Sequence, residues 1–265
     1  LDSGAEGNVI SPSLATRLGL IWNTDQRALG AGGASVAAGV TRASSLRIGA
    51  VEVARPLFHV VALPPELSDA GQNKPIEGLL GYDLFESVAI TVDYEAGRLR
   101  FEPGTIRGTD RGAAMALQWT EHRVPVIHAA VDGIPGLFKI DSGDSGSLTL
   151  YRHFVEENRL REKYRPRINV ISGVAIDGSV RSEVTRVKRF TIGTTDVLEP
   201  ITELTLQRAG PLVSDTWSGT IGEDILKHFI VTFDYAARTV WFKPSRALRR
   251  REPFNRAGMI VRSAD

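Results

Sequence analysis

The sequence contains itself twice, and that duplication constrains the fold more than any other feature. Residues 78–101, GLLGYDLFESVAITVDYEAGRLRF, align with residues 219–242, GTIGEDILKHFIVTFDYAARTVWF, at a constant offset of 141. Both read Gly-x-aliphatic-Gly-x-Asp, pass an apolar pair (Leu84-Phe85; Ile225-Leu226), and enter a strand ending Asp-Tyr. A short turn and a second strand ending in Phe follow in each. Upstream lies another matched pair, Leu1-Asp2-Ser3-Gly4 and Ile140-Asp141-Ser142-Gly143, at an offset of 139. The interval between the two elements differs by only two residues from one copy to the other. The chain of 265 residues is therefore a tandem repeat of a unit of roughly 140 residues, an ordinary domain size.

The patterning within each unit is mostly β. Period-two alternation over 45–53, 88–94, 124–131 and 186–192 predicts strands. Asp132-Gly133 and Asp177-Gly178 predict hairpin turns. The repeated Asp93-Tyr94 and Asp234-Tyr235 read as hairpin structure at strand ends. Helices are few: residues 11–18, with a Ser cap and Pro at the first helical position, and a longer counterpart over 150–163. Short helical turns are expected over 82–86 and 223–228, with Asp83 and Asp224 as N-caps. The predicted class is all-β, with two lobes related by a pseudo-twofold axis; Trp22, Trp119, Trp217 and Trp241 read as either core or cleft wall. The boundaries read as a first lobe over 1–106, a second over 107–245, and a basic tail over 246–265 that leads toward a further domain. Strand-like sequence at 124–140 precedes the second Asp, whereas only Leu1 precedes the first. The front strands of the first lobe are thus expected outside this sequence, and no signal-peptide pattern opens it.

Composition removes several function classes. Lys and Arg total 32 against 31 Asp and Glu, so a formal charge of +1 offers no global basic field for nucleic acid. The absence of cysteine excludes disulfides, thiol nucleophiles and cysteine-ligated metals. No run of 18 apolar residues occurs. The five histidines show no paired ligand spacing, so no metal is expected. Gly30-Ala31-Gly32-Gly33 lacks the Lys-Ser/Thr of a phosphate loop and reads as a small-residue hairpin.

Chemistry concentrates at the two Asp-Ser-Gly elements. If the pseudo-twofold axis brings Asp2 and Asp141 together, the two carboxyls cannot both ionise cheaply and will share a proton. One then acts as general base on a water and the other as general acid toward a carbonyl oxygen, with no cofactor. Gly4 and Gly143 permit close backbone approach, and the Ser3 and Ser142 hydroxyls support the turns. A competing reading takes Gly143-Asp144-Ser145-Gly146-Ser147 as a serine nucleophile motif. It needs a base and an orienting acid, and His128 in Val-Ile-His-Ala-Ala has no fitting context.

These residues resemble the aspartic proteases of the retropepsin and pepsin type, and most nearly bacterial proteins carrying two retropepsin-like units in one chain. Leu1-Asp2-Ser3-Gly4-Ala5 and Ile140-Asp141-Ser142-Gly143 are similar to that family's apolar-Asp-Thr/Ser-Gly motif. Leu79-Leu80-Gly81 and Thr220-Ile221-Gly222 are similar to its downstream apolar-apolar-Gly motif. The resemblance implies an endopeptidase with one catalytic Asp per lobe, Asp2 and Asp141, supported by Gly81 and Gly222. It also implies a peptide or protein substrate, no metal, no need for dimerisation, and a bacterial envelope or periplasmic location. Flap hairpins are implied over 29–40 and 171–182, with Gly32, Gly33, Ala34, Ala175, Ile176 and Asp177 against substrate; neither flap has the pepsin tyrosine. Asp144 departs from the family's Ala, Ser or Thr, which leaves a non-catalytic peptide-binding module as the alternative.

Overall fold

A computed structural model describes residues 1–23, 26–29, 35–63, 75–106, 110–175, 178–207, 213–251 and 253. Strands dominate and fall into three principal sheets. The first belongs to the first half and orders Gln26–Leu29, Ser35–Arg42, Leu57–Val61, Val9–Ile10 and Gly78–Leu79. The second belongs to the second half and has ten strands, running from Ile168–Ala175 through Leu148–Leu150 and Gly219–Ile221 to Thr195–Leu198.

The same crossing motif sits at the centre of each half. In the first, Val9–Ile10 runs parallel to Leu57–Val61 and antiparallel to Gly78–Leu79. In the second, Leu148–Leu150 runs parallel to Ile201–Thr205 and antiparallel to Gly219–Ile221. These short strands carry the chain away from each Asp-Ser-Gly turn and bring it back at each glycine element. The second half also keeps Ile134–Ile140, parallel to Gly219–Ile221 and leading straight into Asp141.

The third sheet joins the halves. Its order is Ala113–Ala116, Thr239–Pro244, Phe229–Asp234, Val88–Asp93, Arg98–Pro103. The central pairing, Phe229–Asp234 against Val88–Asp93, is antiparallel and sets Thr232 opposite Thr91. Two hairpins of the duplicated segment thus hydrogen-bond back to back across the pseudo-twofold axis. One face of this sheet feeds the main core, where Phe85, Ile90, Phe229, Phe233 and Phe242 are at most 1% exposed. Phe138, Ile140, Leu148 and Phe190 continue the same cluster into the second lobe. Each such side chain contributes about 2 kcal/mol of burial. A smaller cluster of Ile10, Ala15, Phe58 and Val60 lies under the first lobe.

Local elements follow the sequence with four differences. The helix Pro12–Arg17 forms as patterned, its Ser11 Oγ accepting from Leu14 N at 3.1 Å. Asp132 and Gly133, at φ +48° and +84°, make the two-residue turn between Pro125–Val131 and Ile134–Ile140. The helix expected over 150–163 is two, Arg152–Glu157 and Leu160–Lys163, because Arg159 turns left-handed at φ +50°. The strand expected over 45–53 is a hairpin, Ser45–Ile48 with Val51–Ala54, since Gly49 adopts φ +60°. Asp83 and Asp224 are not N-caps; Gly81 and Gly222 occupy those positions and the two acids sit in the first turn. Asp83 instead accepts from Asn8 N at 3.2 Å, and Asp224 pairs with Lys227 at 2.5 Å. In the tail, only the single turn Arg246–Arg249 and residues 250, 251 and 253 are described.

Asp93 and Asp234 are turn-forming acids. Asp93 Oδ1 accepts from Ala96 N and Asp234 Oδ1 from Ala237 N, both at 2.9 Å and one repeat apart. Among the described residues, no helix is long and apolar enough to cross a membrane, and no group of His, Asp or Glu is arranged to hold a metal ion.

Candidate active site

Each Asp-Ser-Gly turn is fixed by the return strand of its own half. Asp2 N donates to Leu80 O at 2.9 Å and Asp141 N to Ile221 O at 3.0 Å. The following turn is pinned by Tyr82 N to Ala5 O at 3.1 Å in the first half and Glu223 N to Asp144 O at 2.7 Å in the second. Gly81 and Gly222 are needed because the returning backbone passes so near: a Cβ on either would lie 2.4 Å from a carbonyl oxygen, of Gly7 or Gly146. The first half completes this crossing with Asn8, 1% exposed, whose Oδ1 accepts from Gly81 N at 3.0 Å. In the second half a backbone group suffices, Ser147 O accepting from Gly222 N at 2.7 Å.

The two turns then lock onto each other. Ser3 N donates to Ser142 Oγ at 3.0 Å, and Ser142 N donates to Ser3 Oγ at 2.9 Å. Ser3 Oγ donates onward to Ile140 O at 3.0 Å, and Ser142 Oγ to Leu1 O at 3.3 Å. Four hydrogen bonds therefore cross between halves within two residues of each Asp. Ser3 is 1% exposed, so its share of this network is shielded from water.

The locked turns set the Asp2 and Asp141 carboxyls beside each other, each against the glycine of the opposite turn. Each carboxylate also accepts from its own turn: Asp2 Oδ1 from Gly4 N at 2.8 Å, and Asp141 Oδ1 from Gly143 N at 2.9 Å and Asp144 N at 3.2 Å. Each glycine faces the opposite acid. A Cβ on Gly4 would stand 2.3 Å from Asp141 Cγ, and one on Gly143 would stand 2.5 Å from Asp2 Cγ. Burial, then repulsion from Asp2 and Asp144, holds the Asp141 carboxyl well above the usual carboxylate range. The pair therefore favours one shared proton over two negative charges.

The surroundings are apolar and aromatic. Tyr235 is 5% exposed, and among the described residues its hydroxyl has no hydrogen-bond partner. Its ring packs against Phe85, Trp119 and Tyr82, and burial together with the nearby Asp2 pushes its hydroxyl pKa up. Tyr94, one repeat earlier, is raised in the same way by burial and then Glu223 and Asp141. Lys139 is lowered by burial despite Asp141 nearby, and its ammonium lies 5.3 Å from the Tyr151 ring centre. The repeated Asp-Tyr ending was the available sequence signal for Tyr94 and Tyr235; Lys139 and Asn8 had none, because neither has a like counterpart in the other copy.

The structure thus brings Asp2, Ser3, Gly4, Asp141, Ser142, Gly143, Gly81 and Gly222 to one place. Of the flap residues, Ala175 ends the strand Ile168–Ala175, while Gly32, Gly33, Ala34, Ile176 and Asp177 lie outside the described residues. Ser145 is exposed, and His128 Nε2 is engaged with Gln118 Nε2 at 3.0 Å on the neighbouring strand, which does not build the serine-based alternative.

The described residues form an all-β body of two related sets of strands, joined by a sheet to which both halves contribute. The family model described as Aspartyl protease matches residues 1–84 of the 265. Among solved structures, a retropepsin-like aspartic protease from Rickettsia conorii is similar at 14% identity and a TM-score of 0.30, over 44% of this chain and 77% of that one. No curated protein matches the sequence.

Proposed function

We propose that this protein is an aspartic endopeptidase in which Asp2 and Asp141 act as one catalytic dyad. The observation that carries the reading is the juxtaposition of the two carboxyls, each walled by the other half's glycine. Asp141, with the raised proton affinity, holds the shared proton.

In the proposed reaction a substrate peptide lies over the pair, and a solvent water sits between the acids and the scissile carbonyl. Asp2 takes a proton from that water as its oxygen bonds to the carbonyl carbon, while Asp141 gives its proton to the carbonyl oxygen. The product of this step is a neutral gem-diol. Asp141, now ionised, recovers a proton from one diol hydroxyl, and Asp2 delivers its proton to the amide nitrogen. The C–N bond breaks, leaving a carboxylic acid and an amine with the dyad monoprotonated again. No metal or nucleophilic side chain takes part. Because both acids belong to one chain, the reading requires no dimer.

The test is incubation of the purified protein with a mixed peptide library, read by mass spectrometry. Cleavage by the natural chain that is lost in both Asp2→Asn and Asp141→Asn supports the dyad. Cleavage that survives either substitution rejects it.

A further inference from the structure

We propose that Asp144 is a third acid of this site, a positioning residue whose charge widens the pH range over which the Asp2–Asp141 pair keeps one proton. The inference rests on the dyad reading and extends it. It starts from an asymmetry of the duplication. Residues 5 and 144 are equivalent, 139 apart, and the first copy carries Ala where the second carries Asp.

The turn holds Asp144 firmly against the pair. Its backbone N donates to Asp141 Oδ1 at 3.2 Å, and its backbone O accepts from Glu223 N at 2.7 Å. Its side-chain Oδ1 accepts from Gly146 N at 2.8 Å. Burial, with the nearby Asp2 and Asp224, raises the proton affinity of this carboxyl, and the bond from Gly146 N offsets part of that by stabilising the ionised form. The side chain is half-buried, and among the described residues it forms no ion pair. The titratable groups facing it are Asp2 and Asp141, Asp224 from the turn Glu223–Leu226, and the buried Tyr151. Asp224 is itself paired to Lys227, 2.5 Å away. Lys139, the residue before Ile140, lies near Asp141 with its ammonium over the Tyr151 ring.

The sign follows from charge. Whenever Asp144 is ionised it adds a negative charge beside the pair and makes loss of the last shared proton more costly. The monoprotonated pair then persists to higher pH. Where Asp144 takes up a proton of its own the added charge is gone, so the effect is confined to the alkaline side.

The experiment is a carboxyl-carbon NMR titration of aspartate-labelled protein: natural chain, Asp141→Asn, Asp144→Asn and Asp144→Ala. The highest-pH aspartate step should vanish in Asp141→Asn and move to lower pH in both Asp144 variants. In peptide hydrolysis, the alkaline limb of the kcat/KM profile should move in the same direction, with a several-fold loss at the natural chain's alkaline half-maximum. Two Asp144 variants with native melting curves and an unmoved step overturn the proposal. The titration needs no turnover, so it stands apart from the dyad reading, which fails if Asp141→Asn still cleaves peptides.

Discussion

Thr91 Oγ1 and Thr232 Oγ1 lie 3.0 Å apart, and the two residues are separated by 141 positions, the offset of the duplicated sequence. Each is therefore hydrogen-bonded to its own image, and the pseudo-twofold axis passes between them. The same axis relates Ser3 to Ser142 and Asp2 to Asp141. The joint between the halves is a hydrogen-bonded ladder carrying a reciprocal hydroxyl contact, and it lies under the carboxyl pair.

That contact makes a double-mutant prediction. Thr91→Val or Thr232→Val alone leaves the other hydroxyl short of a partner in a largely buried setting, at a cost of about 1 kcal/mol each. The loss is greater for Thr91→Val, which strands the Thr232 hydroxyl at 2% exposure, whereas Thr91 Oγ1 also accepts from Arg111 Nη1 at 3.4 Å. The double variant should cost less than the two single losses added, because no orphan hydroxyl remains. Urea denaturation of all four proteins checks this; strict additivity would mean the hydroxyls do not interact.

Ser3 and Ser142 should differ despite their equivalence. Ser3 Oγ accepts from Ser142 N and donates to Ile140 O, the second of these bonds being fully buried. Ser3→Ala strands both groups and should destabilise by about 2–3 kcal/mol. Ser142→Ala loses a longer bond to Leu1 O and one from Ser3 N, at a half-buried site, and should cost about 1 kcal/mol. Equal losses would show that the burial difference has no energetic weight.

Gly4→Ala and Gly143→Ala should disable the site out of proportion to their effect on folding. The added methyl falls within 2.5 Å of the opposite carboxyl carbon and forces the acids apart. A displacement of about 1 Å at reacting groups costs on the order of a hundredfold in rate. Peptide hydrolysis alongside thermal melting checks the split; full activity in either variant would show that the turns part without consequence.

The Asp141 carboxyl makes folding pH-dependent in a direction opposite to most acids. Its proton affinity is raised in the folded state, so the native chain binds the proton more tightly than the unfolded chain. The resulting stability is full below the unfolded value of about 4 and is lost as pH rises through the folded value. Asp132 works against this trend, since Tyr164 and Arg189 N hydrogen-bond its carboxylate and the nearby Lys163 favours its charge, outweighing the burial that would raise it. The comparison is therefore between the natural chain and Asp141→Asn. The variant should show a flatter loss of stability from pH 4 toward neutrality; parallel curves would contradict a raised carboxyl.

The duplicated segments made the two-lobed β architecture legible, because an offset that holds over 24 residues in both chemistry and spacing admits few other origins. The paired acids were legible for the same reason. The splitting of 150–163 was not, since nothing in Asn158-Arg159 announces a left-handed residue, and Asn158 Nδ2 closes the first helix by donating to Phe154 O at 2.9 Å. The capping roles of Asp83 and Asp224 were misread because the glycine elements bring backbone so close that no side chain fits at the cap. Asn8 was invisible for want of a repeat: its amide does in one lobe what a main-chain carbonyl does in the other. The electrostatic role of Asp144 needed coordinates, because sequence alone left its direction open between the acids and solvent.

The sheet contributed by both halves also orders events during synthesis. Its central rungs link residues some 140 apart, more than half the length of the chain. The N-terminal portion must wait, emerging from the ribosome with Val88–Asp93 unclaimed, until Phe229–Asp234 has been translated. The proposed pair of acids is consequently dormant until Phe229–Asp234 has emerged and claimed its partner strand.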